Sequence, residues 1–307
     1  MPTSPISRGI TDPVTRFQAW KAAARLHTLP AAIVPVLVGG GLAYGEGVFR
    51  WDAFLWALVG GLAIQVAANF ANDASDAYRG ADTEQRLGPP RMVALGVITP
   101  RQMWLATWVA IAVAAVAGVF LTLIAGWIIL LIGVSSVIAM LGYVGGPAPY
   151  GYRGLGELFV FVFFGLVATV GSRYVHDQTA PLSAWLLAVP IGLLVTAILV
   201  VNNYRDVDTD RAAGKRTLAV VMGRERTRLF FAMLIYGAFV AIAVFGVVGW
   251  TPTSTLFACF LVPLTVLPVR VVHTRTDGPA LIRALKATAR IHLWVGVSIA
   301  AAVAFVP

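Results

Sequence analysis

Acidic and amide side chains with helical spacing occur in two distant segments of the chain. The first segment contains Asn72, Asp73 and Asp76, and the second contains Asp206 and Asp210. If both segments are helical, Asn72 shares a face with Asp76, because residues four positions apart lie on the same side of a helix. Asp206 and Asp210 share a face for the same reason. Like charges at this spacing repel each other, so the acidic segments require a counter-charge.

Divalent cations would supply that counter-charge. Carboxylate and amide oxygens are hard ligands that suit Mg²⁺, which usually keeps several waters and also takes substrate phosphate oxygens. Guanidinium and ammonium groups bind phosphate oxygens too. Five basic residues lie in or near the two segments: Arg79, Arg86, Arg91, Lys215 and Arg216. We therefore predict a diphosphate site in which two Mg²⁺ ions lie between the carboxylates and the substrate.

Either segment alone could be a solvated turn with local salt bridges. Both segments, however, lie where an apolar stretch ends, and the 130 positions between Asp76 and Asp206 indicate a weak internal duplication. Two equivalent acidic segments favour a shared binding site. The main competing class is a secondary transporter, because acids at helix ends and half-to-half repeats are typical of transporters as well.

The surrounding chain has the composition of an integral membrane protein. Of its 307 residues, 59% are hydrophobic and 12% are charged, whereas about a quarter of the residues in a soluble domain are charged. Nine apolar stretches are long enough to span a bilayer, which takes roughly 20 residues of helix. They lie at about 26–45, 51–72, 103–124, 126–145, 155–175, 182–203, 229–249, 254–272 and 288–306. Their apolar runs are continuous, which favours helices over strands. We expect an all-α protein of nine transmembrane helices, with residues 1–307 forming one domain.

The distribution of positive charge predicts the orientation of these helices. In a nine-helix arrangement, only Arg50 and Arg173 of the 23 Lys and Arg residues fall on one side, and the other 21 fall on the opposite side. Because Lys and Arg concentrate on the cytoplasmic side, we expect the segment 1–20 and the loops 73–102 and 204–228 to be cytoplasmic. The net charge of +9 then reflects orientation and does not indicate nucleic-acid binding. The first residues do not have the pattern of a signal peptide.

At its acidic segments the chain resembles the UbiA superfamily of membrane prenyltransferases, and within it the branch that uses 1,4-dihydroxy-2-naphthoate. The first block is Asn72-Asp73-x-x-Asp76 through Gly80-x-Asp82 to Arg86-x-Gly88-Pro-x-Arg91. The second is Asn203-x-Arg205-Asp206-x-x-x-Asp210-x-x-x-Gly214-Lys215-Arg216-Thr217-Leu218. The third is Tyr143-x-x-Gly146-Pro147 through Tyr152-x-Gly154-Leu155-Gly156-Glu157. The Gly80-x-Asp82 and Gly88-Pro-x-Arg91 patterns resemble the naphthoate branch in particular.

The resemblance implies nine helices around a central cavity that opens laterally to lipid, beneath a cytoplasmic cap. It implies that Asn72, Asp76, Asp206 and Asp210 hold Mg²⁺, with Asp73 acting through water or as a supporting group. The implied reaction transfers a polyprenyl chain from polyprenyl diphosphate to 1,4-dihydroxy-2-naphthoate. Diphosphate and CO₂ are lost, and the product is demethylmenaquinol, on the route to menaquinone. The implied location is the bacterial inner membrane, and no obligatory protein partner is expected.

Four further residues are candidates for the acceptor site. Arg25 would bind the aromatic carboxylate, Tyr143 and Glu157 would line the pocket or handle protons, and Asn203 belongs to the same set. Each has a simpler explanation. Arg25 could be a positive-inside anchor and Tyr143 an interfacial aromatic, while Glu157 would favour a helix N-terminus. The alternative reactions are transfer to 4-hydroxybenzoate or a tocopherol-type ring, or use of a lipid-linked sugar phosphate.

Overall fold

The computed structural model describes residues 15–78, 87–88, 91–145 and 149–306, and within these ranges every regular element is helical. The α-helices are α1 (Arg16–Ala24), α2 (Pro30–Gly45), α3 (Trp51–Tyr78), α4 (Pro100–Ala125), α5 (Trp127–Val144), α6 (Gly156–Val160), α7 (Ala168–Asp177), α8 (Leu182–Arg205), α9 (Val207–Ala212), α10 (Leu218–Val247), α11 (Val266–Thr274) and α12 (Gly278–Phe305). A π-helical stretch, Phe161–Val167, joins α6 to α7, and a 3-10 stretch, Thr253–Thr265, leads into α11.

Eight helical stretches in the described part of the chain are long and apolar enough to cross a membrane. They become nine if the bent pair Arg16–Thr28 and Pro30–Gly45 is counted as one span, with its bend of 47°. The prediction of an all-α, multi-pass membrane protein is therefore confirmed. The first predicted span, at 26–45, is interrupted in the structure, because a short 3-10 turn and Pro30 separate α1 from α2.

Several helices extend beyond the apolar stretches that predicted them. Helix α3 continues to Tyr78, and α10 and α12 begin near residues 218 and 278. These extra turns contain charged residues, so a search for apolar stretches leaves them out. The helices nevertheless continue through them beyond the lipid. Part of the predicted loop 204–228 is therefore helical, and Gly223, with φ of 75°, marks a kink in α10.

The largest apolar core lies among α2, α8, α10 and α12 and includes Val34, Ile191 and Phe231. Helices α2 and α12 approach each other closely at Gly45, where an added Cβ would lie 1.9 Å from the carbonyl oxygen of Val303. Small residues permit such close approach between membrane helices. Helices α3, α4, α5 and α7 carry separate, smaller clusters. The inner faces of the two groups of helices border a cavity.

An ion-pair cluster joins α2 to α7 at the predicted outer end of the bundle. The buried guanidinium of Arg173 donates to Glu46, which follows α2, and to Asp177 at 2.6 Å. His176 accepts the backbone N–H of Arg50 at 3.0 Å. A buried charge needs such partners to be tolerated. The contacts fix the ends of α2 and α7 on the side of the protein opposite the acidic segments.

Candidate active site

A cavity of about 860 Å³ lies between the two groups of helices. Most of its wall is apolar, but the end nearest the acidic segments is polar. The oxygen-bearing groups predicted as metal ligands line this end together: Asn72, Asp76, Asp206 and Asp210. The structure thus brings the two distant segments to one place, as their equivalent positions at helix ends led us to expect.

Asp76 is the centre of the polar end. Its side chain is 2% exposed and accepts from three donors. Oδ2 accepts from Nη2 of Arg91 at 2.6 Å, and Oδ1 accepts from the hydroxyl of Tyr152 at 3.0 Å and from Nζ of Lys215 at 3.1 Å. The Lys215 ammonium also lies 4.7 Å from the centre of the Tyr152 ring. Two cations thus neutralise one buried carboxylate, and one of them comes from the second segment.

Asp206 lies at the end of α8 and is held by Arg205. Nε and Nη2 of Arg205 donate to the two carboxylate oxygens at 2.8 and 2.6 Å, and Nη2 also donates to Oδ1 of Asn202 at 3.0 Å. This bidentate geometry is the strongest arrangement of a guanidinium and a carboxylate. Arg205 itself is 2% exposed and lines the cavity. Arg205 stands within the second block but was not among the predicted site residues.

Asp208, by contrast, points away from the cavity. Its carboxylate is 73% exposed and pairs with Nη2 of Arg224 at 2.8 Å. Asp210, two residues later on the short helix α9, lines the cavity. Within this segment, the structure therefore separates acids that face the cavity from one that faces solvent.

The chemistry of the cavity-lining oxygens suits a hard divalent cation, because carboxylate and amide oxygens are the ligands that Mg²⁺ prefers. Among the described residues, no three acidic, His or Cys side chains form a compact cluster that would hold an ion by themselves. Instead, Arg91, Lys215 and Arg205 neutralise Asp76 and Asp206. The protein thus supplies only part of a coordination sphere, which suits an ion that also takes water and phosphate oxygens.

Asp73 has a different position from the other predicted ligands. It is 1% exposed and lies outside the cavity, and its two oxygens accept the backbone N–H groups of Met92 and Val93, both at 3.1 Å. Direct metal ligation by Asp73 does not fit this geometry, because α3 turns the residue away from the face that carries Asp76. Asp73 instead fixes the turn after Arg91, which corresponds to the supporting role.

The predicted basic residues also divide into groups. Arg91 and Lys215 line the cavity, but the side chain of Arg216 is exposed outside it. The backbone N–H of Arg216 donates to the carbonyl of Tyr152 at 3.1 Å, so this residue links the second and third blocks through its main chain. Its predicted contact with diphosphate is therefore corrected. Arg79 and Arg86 lie outside the described residues.

Of the acceptor candidates, Arg25, Tyr143 and Asn203 line the cavity. Glu157 does not. It is buried behind Asn203, whose Nδ2 donates to Glu157 Oε1 at 2.9 Å. Its predicted place in the pocket wall is therefore corrected, because the helix turns it toward α8 and away from the opening. Glu157 orients the Asn203 amide.

Arg25 has a left-handed backbone conformation, with φ of 49°, at the junction between α1 and α2. Two polar residues of α3 hold this junction. Asn69 donates to the carbonyl of Ala24 and to Thr28 Oγ1, both at 2.9 Å, and Gln65 donates to the same hydroxyl at 3.0 Å. These bonds place the strained residue at the cavity wall. A polar residue inside an apolar helix was the available sequence signal for Asn69 and Gln65.

Aromatic rings line the wall that runs from the polar end into the apolar part. Tyr143 contacts Tyr150 edge to face, with ring centres 5.5 Å apart, and Tyr150 stacks on Phe159 at 3.9 Å. Phe163 continues the series at 6.0 Å from Phe159. The Tyr150 hydroxyl donates to the carbonyl of Ala139 at 2.7 Å, and burial raises the pKa of Tyr150 above its usual value. Tyr150 therefore remains a neutral hydrogen-bond donor.

The structure is a helical membrane bundle whose cavity has a charged end and an apolar remainder. Such a cavity suits a transferase that acts on a charged lipid. The chain belongs to the UbiA prenyltransferase family, which matches residues 32–302. It is 36% identical over 289 residues to the 1,4-dihydroxy-2-naphthoate octaprenyltransferase of Mycobacterium tuberculosis, covering 94% of this chain and 98% of that protein. The protein of the same name from Escherichia coli is 35% identical over 285 residues, or 90% and 92% of the two chains.

Solved structures share the fold. A UbiA homolog from Archaeoglobus fulgidus bound to GPP and Mg²⁺ superposes with a TM-score of 0.65, over 92% of this chain and 99% of that one, at 14% identity. The predicted resemblance to the UbiA superfamily is thus confirmed. Membership of a prenyltransferase family decides against the transporter interpretation.

Proposed function

We propose that this protein transfers a polyprenyl chain from polyprenyl diphosphate to 1,4-dihydroxy-2-naphthoate, as a step in menaquinone synthesis. The observation that carries the proposal is the polar end of the cavity, where Asp76, Arg91 and Lys215 meet. This group lies next to an apolar volume of about 860 Å³. The relatives from Mycobacterium tuberculosis and Escherichia coli support the choice of acceptor. We also propose that residues 1–307 form one transmembrane domain.

The diphosphate would bind at the polar end through two Mg²⁺ ions held by Asn72, Asp76, Asp206 and Asp210. Bound magnesium would neutralise part of the charge that develops on the leaving diphosphate. Arg91 and Lys215 neutralise Asp76 in the structure, and they would donate to phosphate oxygens once the substrate adds negative charge. Donors already fixed in position stabilise developing charge most effectively.

The reaction breaks the bond between C1 of the prenyl chain and the diphosphate oxygen. The electron-rich naphthoate ring supplies the electron pair for the new bond to C1. Attack at the carbon that bears the carboxylate, followed by loss of CO₂, restores the aromatic ring. The apolar walls exclude water, which would otherwise intercept the allylic cation. The rings of Tyr143, Tyr150 and Phe159 line this part of the cavity.

The acceptor carboxylate would pair with Arg25. Its backbone is fixed by the bonds that Asn69 makes to Ala24 and Thr28, so the side chain extends from a fixed point of the cavity wall. Asn203, oriented by Glu157, would donate to or accept from a ring hydroxyl. Arg25 and Asp76 line the same cavity, so it can hold the two substrates side by side.

We further propose that this polar end faces the cytoplasm in a bacterial inner membrane. Lys and Arg concentrate on the cytoplasmic side of membrane proteins. Among the Lys and Arg residues that the structure describes, only Arg50 and Arg173 lie at the opposite end of the bundle. Protease protection of an epitope placed after Phe305 in sealed vesicles tests this orientation.

Purified protein incubated with a radiolabelled prenyl diphosphate and a panel of aromatic acids tests the reaction. We expect a lipid-soluble product and release of CO₂ with 1,4-dihydroxy-2-naphthoate, and no product when a chelator removes divalent cations. The panel should include 4-hydroxybenzoate and a tocopherol-type ring precursor. Product formation with one of these, and none with the naphthoate, would overturn the proposed acceptor.

A further inference from the structure

The apolar part of the cavity is a deep arm that ends against side chains at the far side of the bundle. Along α3, the cavity is lined from Asp76 back to Ala57, which is 19 residues earlier. At 1.5 Å of rise per helical residue, the arm is roughly 28 Å deep. A depth close to the thickness of the hydrocarbon region, about 30 Å, places its end near the opposite leaflet.

Three residues from three helices close this end. Leu121 of α4, Ile129 of α5 and Val175 of α7 line the cavity, and each is at least 90% buried. All three belong to one apolar cluster that also includes Ala53 and Ala125. The arm therefore ends on a packed apolar floor, which we define as Leu121, Ile129 and Val175.

One helical turn above the floor, each of the three helices carries a glycine. Gly118 precedes Leu121 by three residues, Gly133 follows Ile129 by four, and Gly171 precedes Val175 by four. All three glycines line the cavity. They lie at a similar level of the arm, because each is about one helical turn from a residue of the shared floor.

These glycines do not serve close helix packing. A Cβ added at Gly118 or Gly133 would meet no described atom within 4 Å, and one added at Gly171 would meet only Cδ1 of Ile132, at 3.9 Å. Gly45 differs sharply, since its added Cβ would lie 1.9 Å from a backbone oxygen of α12. Glycine in a helix interior is destabilising by roughly 0.5–1 kcal/mol relative to Ala. Space for a ligand explains their presence where packing does not.

We propose that Gly118, Gly133 and Gly171 determine the length of the prenyl chain that the enzyme accepts. The inference rests on the proposed function, because it assigns the arm to the prenyl tail. With carbon–carbon bonds of about 1.5 Å, an extended isoprene unit is roughly 5 Å long, so an arm of this depth holds about five units. The far units would lie between the three glycines and end on the floor. Longer chains would have to fold back above it.

Replacing these glycines by larger residues tests this assignment. Gly133→Leu and Gly118→Leu should reduce kcat/KM by at least about tenfold for geranylgeranyl and longer diphosphates, because a pocket that loses volume discriminates by this order. Geranyl diphosphate, with two units, should be used as well as by the original protein. Conversely, Leu121→Ala should raise the relative use of longer donors. Activity with geranyl diphosphate also shows that each variant is folded.

The matched control is Gly237→Leu. Gly237 is a helical glycine of α10 outside the cavity, with Leu193 Cδ1 at 3.8 Å from an added Cβ. The preference of the Gly237→Leu variant for donors of different length should be the same as that of the original protein. If Gly133→Leu fails to fold, Gly133→Ala places one methyl group in the same space and should shift the preference in the same direction.

For each variant, the ratio of kcat/KM for a long donor to kcat/KM for a short donor is compared with that of the control. If the variants at Gly118 and Gly133 have the same ratio as Gly237→Leu, the inference is overturned and the proposed function is left intact. Failure of the original protein to prenylate the naphthoate with any donor would overturn the proposed function instead. In that case the donor-length comparison is made with whichever acceptor in the panel is used, so the two failures are distinguishable.

Discussion

The ammonium group of Lys215 lies 3.1 Å from a carboxylate oxygen of Asp76, although the two residues are 139 positions apart in the chain. Both are largely buried, with 14% and 3% of their side chains exposed. The contact joins the end of α3 to the turn that follows α9. It brings the two acidic segments to one site, and four expectations follow from this arrangement.

Replacing Asp76 by Asn should reduce kcat by at least about 100-fold, the size of effect seen when one electrostatic group of a catalytic site is lost. The amide removes the negative charge that faces Arg91 and Lys215, and it removes a proposed ligand for Mg²⁺. Initial rates at saturating Mg²⁺ measure the effect. Asp208→Asn, in the second acidic segment but exposed and paired with Arg224, should retain near-normal activity. Near-normal turnover by the Asp76 variant would refute the assignment of this site.

Lys215 and Arg216 provide a second comparison, between neighbours of the same charge. Lys215→Ala removes a cation from the cavity and should lower kcat/KM for the prenyl diphosphate by about 100-fold. The kcat/KM of Arg216→Ala should lie within about twofold of the original value, because the Arg216 side chain is exposed outside the cavity. Steady-state kinetics with varied donor concentration distinguish the two. Similar losses in both variants would mean that net charge matters and position does not.

Asp73 should matter for stability more than for metal binding. In Asp73→Asn, the amide can accept only one of the two N–H groups of Met92 and Val93 and turns a donor toward the other. The free energy of unfolding should fall by about 1–3 kcal/mol, the typical penalty for a buried group left unpaired. Thermal unfolding in detergent measures the loss. The Mg²⁺ concentration for half-maximal rate should stay unchanged, and a large rise in it would make Asp73 a metal ligand.

Glu157 and Asn203 distinguish orientation from proton transfer. Glu157→Gln keeps a carbonyl oxygen that can accept from Asn203 Nδ2 but cannot take up a proton. We expect activity within about fivefold of the original, because the hydrogen bond that orients Asn203 is kept. Glu157→Ala should cost more, because it leaves the buried Asn203 amide without this partner. A pH–rate profile completes the test, and an inactive Gln variant would assign Glu157 a proton-handling role.

The spans were predictable because lipid imposes a simple rule on the chain: a long apolar run must be a helix. The shared face of Asn72 and Asp76 followed in the same way, since α3 continues through both residues. The sequence also showed that the two acidic segments each lie at the end of an apolar stretch. The metal-site assignments made from it stay predictions, because they concern atoms that the protein alone does not supply.

The partners of individual charges could not be predicted from the sequence. Asp73 and Asp76 belong to the same motif, yet one accepts from backbone N–H groups and the other from Arg91, Tyr152 and Lys215. Spacing on a helix gives a direction for each side chain but does not say what lies there. Lys215 and Arg216 are likewise adjacent and basic, and only the turn after α9 decides which of them faces the cavity.

The π-helical stretch between α6 and α7 determines which side chains of α7 face the arm. Such a stretch accommodates an extra residue within a helix, so removing one residue between Phe161 and Val167 would let the α-helical pattern run through with little rotation of α7. A deletion after Val167, where the helix is regular, would instead rotate the residues that follow by about 100°, since an α-helix has 3.6 residues per turn. Gly171 and Val175 would then leave the arm, while Asp76 and Lys215 stayed in place. The length of the apolar arm and the charged site can therefore change independently.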